Sequence, residues 1–226
     1  MLDIQNVLEV IHMNLTIFGA NGQIGQHLLN IALQNGDKVK AVVRREGALE
    51  MTHPNLEVVV ANYNDEAQVT QIIAGQDAVV STLGPNLNGG RKITSLPIRD
   101  AHEVILRVME KTGVKRFITL ATPAVKSAQD KKQMATVMPA LMPKLFFPSG
   151  HAEMQGVEAL VKASKVEWTV VRIINPNVKT DGNGYTISLG DSKAKFNVSR
   201  KNAATCMYDA IHKSEWIGKM PIVFNK

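Results

Sequence analysis

The sequence predicts an α/β fold, a single domain on a doubly wound, mainly parallel sheet of about seven strands with a small C-terminal substrate excursion. Three observations carry this expectation. Short β-branched runs alternate with amphipathic helical stretches between Leu15 and Ala121. No hairpin signal joins consecutive runs, so the connections read as right-handed crossovers between parallel strands. The first run feeds a glycine-rich turn that opens a long helix, LTIFGANGQIG over Leu15 to Gly25. With 226 residues the chain can bury a large core but holds no separate catalytic domain. Substrate groups must therefore come from loops and C-terminal insertions. Residues 13–226 are taken as the domain, preceded by a helical extension over residues 1–12.

Composition removes several function classes. Cys206 is the only cysteine, which excludes a disulfide framework and a thiolate metal cluster and suits a reducing cytoplasm. The histidines at 12, 27, 53, 102, 151 and 212 show no metal-pair spacing, so no structural metal is expected. No apolar run reaches membrane-spanning length and no signal-peptide pattern opens the chain. The formal charge of +6 comes from scattered lysines and arginines without interleaved aromatics. That pattern builds no nucleic-acid platform and suits small anionic ligands, such as a phosphorylated cofactor or an acidic substrate. A cytoplasmic monomer or homodimer that binds neither membrane nor nucleic acid is expected. Without a GxSxG elbow or a P-loop lysine, hydrolase and kinase readings also fall away.

Each element has its own local reason. Ile4, Val7, Leu8 and Ile11 recur at helical spacing after Asp3, a capping residue, and make the N-terminal extension helical. After the first strand, Leu28, Leu29, Ala32 and Leu33 line the inner side of a helix closed by Asn35-Gly36. Lys38 to Val43 is the second strand. Leu56 to Ala61 is the third, and its continuous valines, Val58 to Val60, read as a strand buried on both faces. A helix over Asp65 to Ala74 leads to a fourth strand, Asp77 to Leu83, which ends at Gly84-Pro85.

Asn86 to Leu96 is a polar loop, and Pro97 opens a helix whose apolar stripe runs from Ile98 to Met109 before Gly113. Val114 to Ala121 is the fifth strand. At Thr122-Pro123 the alternation breaks. Ala124 to Gly150 is rich in Lys, Met, Phe and Pro, and reads equally as a lid over the substrate or as a helix filling the core edge. A helix over His151 to Ala163 and a sixth strand over Glu167 to Ile174 follow, closing in Asn175-Pro176-Asn177. Beyond the turn Asp181 to Gly184, Tyr185 to Leu189 and Lys195 to Val198 form short strand pieces. Ser199 caps a helix over Arg200 to Lys213, and Pro221 to Phe224 is the last strand.

The glycine turn carries the chemistry. In a dinucleotide-binding Rossmann domain, glycines at this spacing serve a tight turn, a close approach to the pyrophosphate and close helix packing. Gly19, Gly22 and Gly25 fill those places, with Asn21, Gln23 and Ile24 between them and free helix N–H groups aimed at phosphate. NAD-specific folds hold the ribose 2′-hydroxyl with an acid at the end of the second strand, and an arginine there takes a 2′-phosphate. Arg44 and Arg45 stand at that place, so NADP(H) is the expected cofactor. Asn62 and Tyr63 end the strand that meets the adenine. Asn62 either bonds the exocyclic amine or simply makes the turn. Thr82, Leu83 and Gly84 end the fourth strand, where the glycine lets the ribose approach the backbone.

These motifs resemble the atypical short-chain dehydrogenase/reductase group of NAD(P)H-binding proteins, which includes NmrA-like proteins and biliverdin-IXβ/flavin reductases. The resemblance covers nearly all of Met13 to Lys226. It rests on TIFGANGQIG at Thr16 to Gly25, VVR at Val42 to Arg44, AGQDAV at Ala74 to Val79, GVKRFI at Gly113 to Ile118 and YTISL at Tyr185 to Leu189. It implies NADP(H) along the strand ends and a shallow substrate site over the nicotinamide. Thr122 resembles the position where the flavin-reductase branch carries a serine, and Asn175 that of its histidine; neither side chain titrates near neutral pH. His151, which begins a helix beside this site, either donates a proton or only caps and packs.

Conventional short-chain dehydrogenases use a tyrosine followed four positions later by a lysine. Tyr63, Tyr185 and Tyr208 are followed there by Ala67, Leu189 and His212, so the dyad is missing. Alcohol dehydrogenase and sugar epimerase chemistry are disfavoured. Two readings stand: an NADPH-dependent reductase of a flavin, quinone or similar conjugated acceptor, and an NADP(H)-sensing regulator of the NmrA-like type acting through a protein partner.

Overall fold

The computed structural model describes residues 12–85, 93, 95–122, 125–133 and 147–226. The expected N-terminal helix, most of the Asn86 to Leu96 loop and Met134, Met138, Met142 and Phe146 of the methionine-rich stretch lie outside the described residues.

The chain alternates as expected through β1 (Asn14–Phe18), α1 (Gln23–Gln34), β2 (Lys38–Val43), β3 (Leu56–Val60), α2 (Glu66–Ile73), β4 (Ala78–Ser81), α3 (Pro97–Thr112) and β5 (Arg116–Ala121). It continues with α4 (Pro148–Ala163), β6 (Glu167–Ile173), β7 (Asn175–Val178), β8 (Tyr185–Ser188), β9 (Asn197–Ser199), α5 (Arg200–His212) and β10 (Ile222–Asn225). One eight-stranded sheet has the order β3-β2-β1-β4-β5-β6-β10-β8, and β7 pairs with β9 in a separate ribbon. All main-sheet pairings are parallel except that of β8 with β10. The order reverses between β1 and β4, the switch point at which open α/β sheets form a ligand crevice.

Helices cover both faces. α1 lies against α5, and Leu28, Leu29, Ala203 and Met207 join Leu15, Ile17 and Val171 in one core layer. On the other face α2, α3 and α4 pack in series, with Val69, Ile105, Met109 and Val157 against Phe18, Val79 and Phe117. Asp65 caps α2, its Oδ1 accepting from Ala67 N at 3.0 Å and Gln68 N at 3.1 Å. Ser199 Oγ caps α5 by accepting from Asn202 N at 3.0 Å. α3 takes its cap from another helix. Leu96 offers none, and the buried Glu153 of α4 accepts from Ile98 N at 3.1 Å and Arg99 N at 2.8 Å.

Three details correct the sequence reading. β3 is not buried on both faces: it is the outermost strand, with Val58 38 % and Val60 47 % exposed while Val59 packs inward. Three consecutive valines satisfy strand propensity on an edge as well as in the middle of a sheet. Asn175-Pro176-Asn177 is not a closing turn; it forms most of β7. The Tyr185 piece is no excursion either, because it completes the main sheet antiparallel to β10.

Candidate functional site

The glycine turn lies at the switch point, and its three glycines do different work. Gly19 has a φ of +79°, and a Cβ there would lie 2.9 Å from Thr82 Oγ1 and 3.1 Å from Leu83 Cδ2. Gly25 is where α1 crosses the turn: a Cβ would collide with the Gly19 carbonyl oxygen and approach Ala20 Cα to 2.9 Å. Gly22 is the N-cap of α1, with its N–H donating to Gly19 O at 2.9 Å. It has no side chain to cap the helix, and the first turn contains no acid. The leading N–H groups of α1 thus face an anion-ready opening, flanked by exposed Asn21 and Gln23 while Ile24 packs against the core.

Thr82 holds this turn in place. Its hydroxyl lies 2.9 Å from Gly19 O and 3.1 Å from Phe18 O, both acceptors, which ties the end of β4 to the turn. Below it is a buried polar cluster that sequence reasoning missed. His102 of α3 donates from Nδ1 to Ile98 O at 2.8 Å, leaving Nε2 to accept from Ser81 Oγ at 3.0 Å and Thr119 Oγ1 at 3.2 Å. Burial pushes His102 down to about 4, so the ring is neutral. The Ser81 oxygen also accepts from Leu83 N at 3.4 Å, which links the cluster to the strand end.

Beside the turn, a cleft of about 600 Å³ opens at the ends of β2, β3 and β4. It brings together five predicted residues, Arg44, Asn62, Tyr63, Leu83 and Gly84. Gln68, Ile98 and Ala101, which sequence reasoning missed, complete its walls. Among the described residues Arg44 is its one charged lining residue, and Arg45 is exposed alongside without lining it. Asn62 makes an Asx turn: its Oδ1 accepts from Asn64 N at 3.1 Å, which engages the group an adenine amine would use. Tyr63 is a strut. Its hydroxyl donates to Val42 O at 3.0 Å, its ring meets Phe18 edge-on at 5.4 Å, and burial raises its pKa against the opposing pull of Arg44. Among the described residues nothing lies within 4 Å of a Cβ at Gly84.

The other predicted residues lie farther along the same sheet edge. Thr122 follows β5 and Asn175 opens β7 just after β6, adjacent strands registered through Ala121 and Arg172. Thr122 is half-buried, and its carbonyl accepts from Val125 N at 3.0 Å. Asn175 is exposed and its Nδ2 donates to Asn197 Oδ1 at 3.1 Å. His151 sits in the first turn of α4, with Nδ1 shielded from solvent and unpartnered. Among the described residues no hydrogen bond joins these three.

The segment leaving Thr122 is clasped to β6. Arg172, fully buried, donates to both Asp130 oxygens at 2.6 and 2.8 Å and to the carbonyls of Met220 and Val125. The other two tyrosines are engaged elsewhere: Tyr208 donates to Asp37 at 2.7 Å, and Tyr185 bonds Asp209. Both phenols are pushed well above their ordinary pKa, by burial first and then by the carboxylates. Among the described residues no helix is long and apolar enough to cross a membrane.

Comparison with known proteins places this geometry. A family model described as NAD(P)H-binding matches residues 19–214. The chain is 27% identical over 165 residues to YhfK of Bacillus subtilis (strain 168), an uncharacterized sugar epimerase, covering 71% of each. A short-chain dehydrogenase/reductase from Veillonella parvula DSM 2008, solved in complex with NADP, superposes with a TM-score of 0.77 at 14% identity over 95% of both chains. ChuY, an anaerobilin reductase from Escherichia coli O157:H7, superposes with a TM-score of 0.75 at 16% identity over 94% of this chain and 97% of that one.

Proposed function

Because the chain belongs to the NAD(P)H-binding family, we propose that it is an NADPH-dependent oxidoreductase that passes hydride to a flavin, quinone or similar conjugated acceptor. The observation that carries this reading is a dinucleotide cradle in a molecule whose three phenols all have other partners. The cradle fits the cofactor: Gly19 and Gly25 leave no room for side chains, and α1 begins without a cap or an acid. Gly19, Gly22 and Gly25, with Asn21, Gln23 and Ile24, would hold the pyrophosphate. Arg44, supported by Arg45, would hold the 2′-phosphate, and Asn62, Tyr63, Thr82, Leu83 and Gly84 would frame the adenine and ribose.

NADP(H), when bound, supplies the hydride. Thr122 and Asn175 would flank the nicotinamide, and His151 is the one titratable side chain of the three. A conjugated acceptor spreads the negative charge it gains and takes its proton from water, so the protein need only bind and orient the reactants. Epimerase chemistry, which the name of YhfK suggests, would in a conventional short-chain dehydrogenase fold use a tyrosine phenol for proton transfer at the substrate oxygen. Here Tyr63 donates to Val42 O, and Tyr185 and Tyr208 are bonded to carboxylates.

NADPH absorbance followed with FMN, riboflavin, quinones and biliverdin tests the proposal. Turnover with any of them supports the reductase. Tight binding of NADPH with no turnover across the panel overturns it in favour of the NADP(H)-sensing regulator.

A further inference from the structure

A separate cleft of about 250 Å³ lies at the top of the groove between α1 and α5. Its walls come from His27 on α1, Lys179 and Asp181 between β7 and β8, and Ser199, Arg200 and Lys201 where α5 begins. Three cations face one carboxylate, and that carboxylate is already engaged. The Ser199 hydroxyl donates to Asp181 at 2.6 Å, and Lys201 pairs with it at 3.3 Å. Arg200 donates one bond to Asn177 Oδ1 at 2.9 Å, and Lys179 has no partner among the described residues. The start of α5 is not the attraction, since Ser199 itself caps Asn202 N. What the cleft offers is uncompensated positive charge on side chains from separate segments.

Its location gives that charge a use. His27 lies one turn beyond Gln23, so the cleft adjoins the glycine turn. Asn175 and Val178 of β7 are registered with Asn197 and Ser199 of β9, which puts the cleft about 10 Å along the ribbon from Asn175. That spacing suits one molecule with a ring at the nicotinamide and an acidic arm.

We propose that this cleft is an oxyanion subsite for a phosphate or carboxylate carried by the acceptor, an inference that rests on the reductase reading. The cofactor's own phosphates would already have the α1 terminus and Arg44. FMN and riboflavin share a ring system and differ by one phosphate, which makes them the discriminating pair.

Flavin fluorescence quenching on protein saturated with NADP+ measures both affinities without turnover. FMN should bind about tenfold tighter than riboflavin at low salt, with the margin shrinking as salt rises. The double variant Lys179→Gln, Arg200→Gln should bring the two within about twofold while the riboflavin and NADPH Kd values stay put. Asn177→Ala, which removes the Arg200 hydrogen bond but keeps the charge, should preserve the margin. Equal binding of the two flavins by the unaltered protein overturns the proposal, as does a margin that survives the double variant. Loss of NADPH affinity in that variant also overturns it, by assigning the cleft to the cofactor. If neither flavin binds, the flavin acceptor is wrong, and inorganic phosphate titrated against the same NADP+-saturated protein decides the subsite. Binding that the double variant lacks sustains it, and no binding in either protein overturns it.

Discussion

The proposed function gives the Arg44 guanidinium the choice between two nucleotides. Among the described residues it is the only charged side chain lining the 600 Å³ cleft, with no competing carboxylate. Charge-assisted hydrogen bonds to a phosphate contribute about 1.5–3 kcal/mol, so Arg44→Gln should weaken NADPH binding roughly ten- to a hundredfold. NADH, which lacks the 2′-phosphate, should lose almost nothing, and an equal loss for both nucleotides in a titration would refute the assignment. His102 gives a second prediction, this one about pH. Its pKa falls from about 6.5 in the unfolded chain to about 4 in the fold, where Ile98 O, Ser81, Thr119 and the Phe117 ring enclose it. Above about pH 6.5 both states are neutral there and stability is unaffected. As pH falls toward 4 the unfolded chain takes up a proton that the fold refuses, and about 3 kcal/mol is lost. Urea unfolding from pH 7 to 4 should show that loss, and His102→Gln should reduce it.

At the scale of elements, the clasp between Arg172 on β6 and Asp130 in the segment beyond β5 fixes the stretch of the sheet edge that carries Thr122 and Asn175. Asp130 also accepts from Ser127 N at 2.9 Å, and a Cβ at Gly190 would collide with its carboxylate, so the segment has little freedom to shift. Asp130→Asn should cost about 3–5 kcal/mol in urea unfolding, because it leaves the guanidinium charge buried without its counter-ion. A loss below about 1 kcal/mol would mean that Arg172 is satisfied by carbonyls alone. This clasp was not legible in the sequence, since its partners are separated by a whole crossover and neither has a local pattern. The Glu153 cap on α3 left only an indirect trace, the capless Leu96 before Pro97. By contrast, the glycine turn, Arg44 and the Ser199 cap are local arrangements of a few residues, and those could be read directly. The edge position of β3 was invisible for another reason: strand order is set by helix crossovers, which the valines of Leu56–Val60 do not record.

For the molecule as a whole, nucleotide binding should register as stability, because the proposed cradle draws on both halves of the core. Gly22 and Gly25 start α1 on one face, Thr82 ties the turn to β4, and the adenine-side cleft rests on Ile98 and Ala101 of α3 on the other. Unfolding would separate all of these at once, so the ligand binds the native state alone. At a free concentration near a hundred times Kd, NADPH then adds about 2.7 kcal/mol. For a domain of this length that corresponds to a rise in Tm of roughly 5–10 °C. NADH at the same concentration should raise it less, by the margin Arg44 controls, and Arg44→Gln should bring the two shifts together. The measurement needs no acceptor, so it tests the cradle independently of any reaction. A Tm that neither nucleotide moves would remove the ground on which the reductase reading and the acceptor subsite both stand.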